Sequence, residues 1–236
     1  MAVTGDEAAF QITSESMEAR MLDGSGMVLV DAGLHRLAAA KWELDPKDPI
    51  TLTISVSELI KVLDRSRRGE LLTLEYRPEE EKVWLEMMDA KSVKRRIYVN
   101  ALKEREAKEV ALRLEFKAKA VLEPRALLEA IEDCKMFDRD EVRISIEPEM
   151  VSISSRGESG NALIKILGGG RLVYEIAAEE KVSAKYSVPH LERIMRAGMS
   201  VGDKMVAIEL NDNQPMKISF HNPSVKLEYY VAPKVE

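Results

Sequence analysis

The chain has 236 residues, enough for one large domain or for two of about 115–120 residues that each bury a core. Charged residues make up 32% of it and the formal net charge is -6, with both signs mixed throughout. A protein that grips nucleic acid through bulk charge would be basic, so any such surface here must be a local concentration of Lys and Arg. The lone cysteine, Cys134, excludes an internal disulfide and a cysteine-based zinc site and fits a reducing setting. The longest apolar runs, such as Met27–Val30, are strand-sized, far below the roughly 20 residues of a membrane helix. The opening MAVTGDEAAF lacks the basic and apolar regions of a signal peptide, so a cytosolic or nuclear protein is expected.

From Ala8 to Asp31 the pattern predicts strand, turn and strand, with Gly24 and Gly26 allowing a tight turn. Lys41–Leu44 is a further strand candidate, and Ile50–Ile54 alternates with period two. The period then changes. Val56, Leu59, Ile60 and Leu63 share one helical face, capped by Ser55 or Ser57, and the helix is expected over 56–68 with Gly69 after it. Strands follow at Leu71–Tyr76, Val83–Met87 and Lys94–Val99.

The segment Asn100–Leu112 is rich in Lys, Glu, Arg and Ala, all good helix formers. Beyond it, Leu112–Ala120 alternates strictly and predicts a strand. Pro124 opens a helix through Phe137, because proline in a first turn lacks only an N–H that has no partner there. Strands are predicted at Val142–Ile146, Val151–Ser154, Ala162–Leu167 and Leu172–Ile176, then a helix at Val188–Ala197. The last strands are Met205–Leu210, Met216–Phe220 and Val225–Val231.

The two halves resemble each other. Ser55-Val56 with Leu59, Lys61, Val62 and Leu63 matches Ser187-Val188 with Leu191, Arg193, Ile194 and Met195 at an offset of roughly 132. Ile12–Glu15 matches Ile144–Glu147 at the same offset. This points to a duplicated domain, 1–99 and 113–236, joined by a connector at 100–112, which lowers the case for regular helix there. The strand and helix at 112–137 would have their counterparts before Met1, so the first copy is expected to lack an opening strand and helix. It would then carry an open sheet edge and an uncovered face.

Three stretches carry a family resemblance. The ending Lys226–Glu236 closely resembles the C-terminal signature of the sliding clamps of archaea and eukaryotes, the proliferating cell nuclear antigen family. Ser155–Lys165 is similar to that family's Ser-x-Gly-Glu-x-Gly-Asn segment, and Leu22–Leu29 sits where the family has its Met-Asp-x-x-His-Val-x-Leu loop. The resemblance spans the chain. It implies an α+β fold of two similar domains, with antiparallel sheets outside and helices lining the interior of a three-subunit ring around duplex DNA. The segment 100–112 would drape over the ring exterior. The function implied is that of a non-enzymatic processivity factor serving replicative polymerase, flap nuclease, DNA ligase and a clamp loader. Its subunits would assemble as a homotrimer or heterotrimer, nucleoid-associated in the cytoplasm, without cofactor or membrane. The rival reading is an interaction scaffold with the same fold and no ring.

The resemblance also implies sites. DNA would face Lys61, Arg65, Arg67 and Arg68 of the first helix, Arg125 and Lys135 of the second, and Arg193 and Arg196 of the third. A partner pocket would draw on Leu22, Asp23, Gly26, Met27 and Leu29, on Val110 and Leu112 of the connector, on Pro215, and on Tyr230, Ala232, Pro233 and Val235. Gly26 stands where the family often has His, which would remove a hydrogen-bonding contact. Subunits would meet through Lys94, Arg95 and Arg96 on one side and Asn161, Ala162, Leu163, Ile164 and Lys165 on the other.

Catalysis finds no pattern. His35, His190 and His221 are isolated from metal-ligand spacing. Gly168-Gly169-Gly170 lacks the Lys-Ser/Thr continuation of a phosphate loop and reads as a break, Cys134 reads as a packed small residue, and Glu79–Glu81 reads as a charged hairpin tip.

Overall fold

Period-two alternation makes antiparallel ladders the natural outcome of most of this sequence, and every strand pairing observed is antiparallel. The computed structural model describes residues 6–44, 49–103, 114–202 and 204–234. In the first half the elements are β1 (Glu7–Ile12), β2 (Ser16–Leu22), β3 (Val28–His35), β4 (Ile50–Ser55), α1 (Val56–Leu63), β5 (Leu71–Arg77), β6 (Lys82–Met88) and β7 (Lys94–Leu102). Then come β8 (Ala118–Leu122), α2 (Pro124–Lys135), β9 (Glu141–Glu147), β10 (Met150–Gly157), β11 (Gly160–Leu167), β12 (Val173–Ala178) and β13 (Val182–Ser187). The rest is α3 (Val188–Ser200), β14 (Val206–Leu210), β15 (Met216–His221) and β16 (Val225–Val231).

Twelve strands form one continuous sheet in the order β12-β8-β14-β15-β16-β3-β2-β1-β4-β7-β6-β5, and β11-β10-β9-β13 form a second. Two apolar cores lie against them. Phe10, Leu52, Val83, Leu85 and Met87 centre the first, with Val56, Leu59 and Val62 of α1. Leu127, Ile131, Ile144, Ile153, Leu191, Ile194, Ile208 and Phe220 centre the second, which also takes in Val28 and Val30 of β3. Each fully buried Leu, Ile or Phe contributes about 1.5–3 kcal/mol before entropy is charged against it.

The order β1-β2-β3, β4-α1, β5-β6-β7 recurs as β9-β10-β11, β13-α3, β14-β15-β16. Among the described residues β8, α2 and β12 have no first-half counterpart.

That difference explains two departures from expectation. Lys41–Leu44 forms no strand: its equivalent, β12, pairs with β8, and no such neighbour exists in the described first half. Trp42 is instead held by its indole N–H, which donates to the Thr13 carbonyl at 3.0 Å. Helix α1 ends at Leu63 rather than at 68, in tight turns where Arg65 and Ser66 N–H groups donate to Val62 and Leu63. Its equivalent, α3, packs against α2 and runs on to Ser200, past the expected Ala197. The strand expected at Leu112–Ala120 is ordered into the ladder only from Ala118, where β12 and β14 flank it, and 112–113 lie outside the described residues. The sequence pattern predicts no strand over β13; its Ser and Lys residues mask one that pairs fully with β9.

Candidate functional sites

Sequence placed eight basic residues on the helices, and the structure divides them. Lys135 pairs with Glu192 at 2.7 Å and Arg196 with Glu132 at 2.5 Å, both bridging α2 and α3. Arg125 pairs with Glu129 one turn along its own helix at 2.8 Å. Lys135 and Arg196 thus tie α2 to α3, although exposed pairs of this kind are worth only about 0.2–1 kcal/mol. Lys61 and Arg193, at equivalent places on α1 and α3, are exposed and have no ion pair among the described residues.

Arg65, Arg67 and Arg68 lie beyond the end of α1, in the turn leading to β5. Glu70 organises that turn. Its carboxylate accepts the Arg67 backbone N–H at 2.8 Å and takes the Arg95 guanidinium, which also donates to the Arg65 carbonyl at 2.8 Å. The three arginine side chains stay exposed around this fixed backbone.

The pocket residues converge through the β3–β16 ladder. Leu22, Leu29, Tyr230 and Lys217 are successive register partners on four neighbouring strands, so they form one row across the outer face of the sheet. Leu22 stands out from the surface, Leu29 is buried at the floor of the row, and Tyr230 is half-buried. Lys217 lies 5.9 Å from the centre of the Tyr230 ring, a cation–π distance. Beneath it Glu228, almost fully buried, pairs with Lys217 at 3.1 Å and Lys226 at 3.3 Å. Burial pushes the Glu228 carboxyl up, but the hydrogen bond and charge of Lys217, with Lys226, outweigh it and hold the group below its ordinary value.

The β2–β3 turn closes beside this row. Asp23 accepts the Met27 and Val28 N–H groups at 2.7 and 2.9 Å and the Ser25 hydroxyl. Gly26 adopts φ +73°, the left-handed region that glycine enters without strain. Burial would raise the Asp23 carboxyl, yet these bonds and the nearby His190 hold it below the usual value. The tail is zipped to the turn: Ala232 N–H donates to Met27 at 2.9 Å and Lys234 N–H to Lys185 at 2.8 Å. Pro215 precedes β15, whose Met216 pairs with Val231. Val110, Leu112 and Val235 lie outside the described residues. A cavity of about 690 Å³ lies elsewhere, between the 148–150 turn, the end of β11 and β12.

The proposed subunit edges are both open. β7 pairs with β6 along Lys94–Asn100, but among the described residues its other side meets β4 only at Ala101 and Leu102. Among the described residues β11 pairs with β10 alone. The three basic residues of β7 are tied within the chain, Lys94 to Glu86, Arg95 to Glu70 and Arg96 to Glu75, so the open backbone rather than free charge is what this edge offers. On β11, Asn161, Leu163 and Lys165 are exposed, and Ala162 and Ile164 half-buried.

Within the chain, β16 and β3 already make the seam that these edges would need. Val225 to Val231 pair with Leu34 to Val28 without interruption. The sequence Lys94-Arg95-Arg96-Ile97-Tyr98-Val99 matches Lys226-Leu227-Glu228-Tyr229-Tyr230-Val231, so β7 is the first-half equivalent of β16, as β11 is the second-half equivalent of β3.

Comparison with known proteins agrees with this geometry along the whole chain. No family model matches it. It is 27% identical over 232 residues to a DNA polymerase sliding clamp of Thermococcus gammatolerans, covering 98% of this chain and 90% of that protein. It is also 27% identical over 237 residues to DNA polymerase sliding clamp 1 of Pyrobaculum aerophilum, covering 100% and 92%. The crystal structure of PCNA from Thermococcus kodakaraensis superposes with a TM-score of 0.88 at 20% identity, over 98% of this chain and 92% of that one. The corresponding antigen of Entamoeba histolytica gives 0.86 at 18% identity, over 99% and 91%. Along its whole length the chain is similar to DNA polymerase sliding clamps and shares the fold of the solved PCNA structures.

In this chain the residues that position others carry no signal in the sequence. Glu70 and Glu228 are acidic residues in strand or turn context, with no motif of their own. Only pairing across roughly 25 and 11 residues of chain gives them their roles. The equivalence of β7 and β16 was legible, since both carry Lys followed four residues on by Tyr-Val.

Proposed function

We propose that the chain is one subunit of a DNA sliding clamp, which closes head to tail with two others into a ring around duplex DNA. The observation that carries this is the internal β3–β16 seam beside two open edges, β7 and β11, that are its equivalents by the repeat. A subunit that bonds its own β16 to its own β3 offers β7 of one copy to β11 of the next. Edge pairing then hides both edges, as closed rings require. Copied between subunits, the seam register would set Tyr98 opposite Asn161, as Tyr230 stands opposite Leu29 within the chain.

The proposed organisation is a first clamp domain at 1–99, a connector at 100–112 and a second clamp domain at 113–236. Lys61, Arg65, Arg67, Arg68 and Arg193 would meet phosphates directly, and Arg125, Lys135 and Arg196 would do so less, since Glu129, Glu192 and Glu132 already meet part of their charge. Such contacts carry no base information, and encirclement replaces tight affinity, which suits an acidic chain. The row Leu22, Leu29 and Tyr230, with Asp23, Gly26, Met27, Pro215, Ala232 and Pro233, would seat aromatic or aliphatic anchors of partner enzymes. Val110, Leu112 and Val235 complete the proposed pocket. Replicative polymerase, flap nuclease, DNA ligase and a clamp loader are the expected partners, and the role is tethering rather than catalysis, in a cytoplasmic, nucleoid-associated setting.

The test is the oligomeric state. Light scattering at micromolar concentration, on the chain alone and mixed with paralogous clamp subunits, is expected to give a trimer. A monomer under both conditions would favour the rival scaffold without a ring. A cysteine pair at Tyr98 and Asn161 should cross-link between copies, with the buried Cys134 silent.

A further inference from the structure

The internal β3–β16 seam shows which side chains two such edges bring together. Lys226 of β16 reaches across to Asp31 of β3 at 3.7 Å, and Asp31 also takes Arg20 at 3.2 Å. Glu228, the register partner of Asp31, lies between Lys217 at 3.1 Å and Lys226 at 3.3 Å. Acid and base therefore alternate across the seam.

The repeat carries this register to β7 and β11. Lys94 stands for Lys226, Arg96 for Glu228, Leu163 for Asp31 and Lys165 for Gly33. A second copy of the chain would thus set Arg96 opposite Leu163 and Lys94 opposite Lys165. The cation that crosses the internal seam is kept, and the carboxylate that receives it is gone. Gly160–Leu167 holds no acidic residue. Behind it on β10, the partners of Asn161, Leu163 and Lys165 are Arg156, Ser154 and Ser152. Glu149 and Glu175 line the cavity that Lys165 also lines, but Lys119 already holds Glu175 at 3.1 Å. Glu158 is in the hairpin turn, at the other end of β11 from Lys165. The carboxylates that serve Lys94 and Arg96 are Glu86 on β6 and Glu75 on β5, both behind β7. Leu163 is 57% exposed, and the Lys94 side chain 59%. β8 and α2 lie on β14 and α3, so a first-half counterpart to them would meet β5 and α1 and leave this side of β7 open.

We propose that ring closure takes a non-identical clamp subunit in preference to a second copy of this chain. This rests on the edge pairing proposed above and specifies the partner edge. The strand that joins β7 carries Asp or Glu where β11 has Leu163. The strand that joins β11 carries an apolar residue where β7 has Arg96 and an acid where β7 has Lys94. Backbone bonding capacity is common to every strand edge, so side chains decide which edge is taken. Like charges set directly opposite one another oppose pairing, and opposite charges support it. Every seam between two copies would repeat the same mismatch.

Sedimentation velocity over a concentration series, on the full chain alone, tests this. Leu163→Asp is expected to lower the half-assembly concentration about threefold or more, because each seam regains a partner for Lys94. Lys165→Glu, set opposite Lys94, should act in the same direction. Both positions are exposed, so the far-ultraviolet circular dichroism should match the parent. Leu163→Asn, polar but uncharged, should give no gain, and Lys94→Glu added to Leu163→Asp should remove it. Salt should tighten the parent and loosen Leu163→Asp, since screening acts on repulsion in one and on attraction in the other. Assembly of the parent only with a paralogous subunit also supports the proposal. A parent that self-assembles as tightly as Leu163→Asp and Lys165→Glu, or an equal gain from Leu163→Asn, overturns it and leaves the ring standing. Absence of assembly in every form, alone and with paralogous subunits, removes the ring itself.

Discussion

Arg95 reaches from β7 to the carboxylate of Glu70, at 2.5 Å from its nearer oxygen, and Glu70 retains only 6% side-chain exposure. The bridge ties a strand proposed for subunit contact to the turn that presents Arg65, Arg67 and Arg68. Removing the carboxylate leaves the Arg67 N–H and the guanidinium without their acceptor. Glu70→Ala is expected to destabilise the chain by about 1–3 kcal/mol in denaturant unfolding. Glu75→Ala, which breaks a more exposed pair with Arg96, should lie within about 1 kcal/mol of the parent.

Tyr230 supplies the largest side chain of the proposed pocket row and is only half-buried, so its loss should leave the fold intact. Tyr230→Ala is expected to weaken an aromatic-anchored partner peptide at least tenfold by calorimetry, with Met27→Ala weaker in effect. Undiminished binding in both would reject the pocket.

The free and the paired cations should behave differently toward DNA. Replacing Lys61 and Arg193 by Glu is expected to reduce polymerase processivity more than replacing Arg125, whose charge is already met by Glu129. The deficit relative to the parent should shrink as salt rises, because fewer phosphate contacts release fewer counterions and flatten the salt dependence. Equal processivity across all three variants would remove the helices from the DNA face.

Acid should loosen the β2–β3 turn. The Asp23 carboxyl is held below its ordinary value by Ser25, Val28 and Met27 against the opposing effect of burial. A carboxyl depressed on folding adds stability above the unfolded pKa and loses it as pH falls through the folded one. Thermal stability is therefore expected to drop below about pH 4, and Asp23→Asn should flatten part of that drop. An identical acid profile in the variant would assign the loss elsewhere.

α3 is seated by a missing side chain. A Cβ at Gly198 would run into the ring of Phe220, which is itself fully buried. Gly198→Ala is expected to cost about 1–3 kcal/mol by overpacking, read as a lowered thermal midpoint.

Much of this protein was written in local pattern. Strict alternation at Val142–Ile146 and Met216–Phe220, the capping serine before Val56 and the proline opening at Pro124 each specify an element from neighbours a few residues away. The repeat was legible for the same reason, since duplicated elements keep duplicated periodicity. The tail Lys226–Glu236 and the segment Ser155–Lys165 carried enough identity to indicate the family.

Tertiary structure decided what depended on distant partners. Lys41–Leu44 has strand composition but no neighbouring strand among the described residues, and it is irregular, whereas polar β13 becomes a strand because β9 lies beside it. Lys135 and Arg196 look like free cations in sequence and are ion-paired across helices in space. The assignment of β7 and β11 as open edges likewise required the sheet order, because hydrogen-bonding capacity is the same in every strand and only its use is decided by the fold.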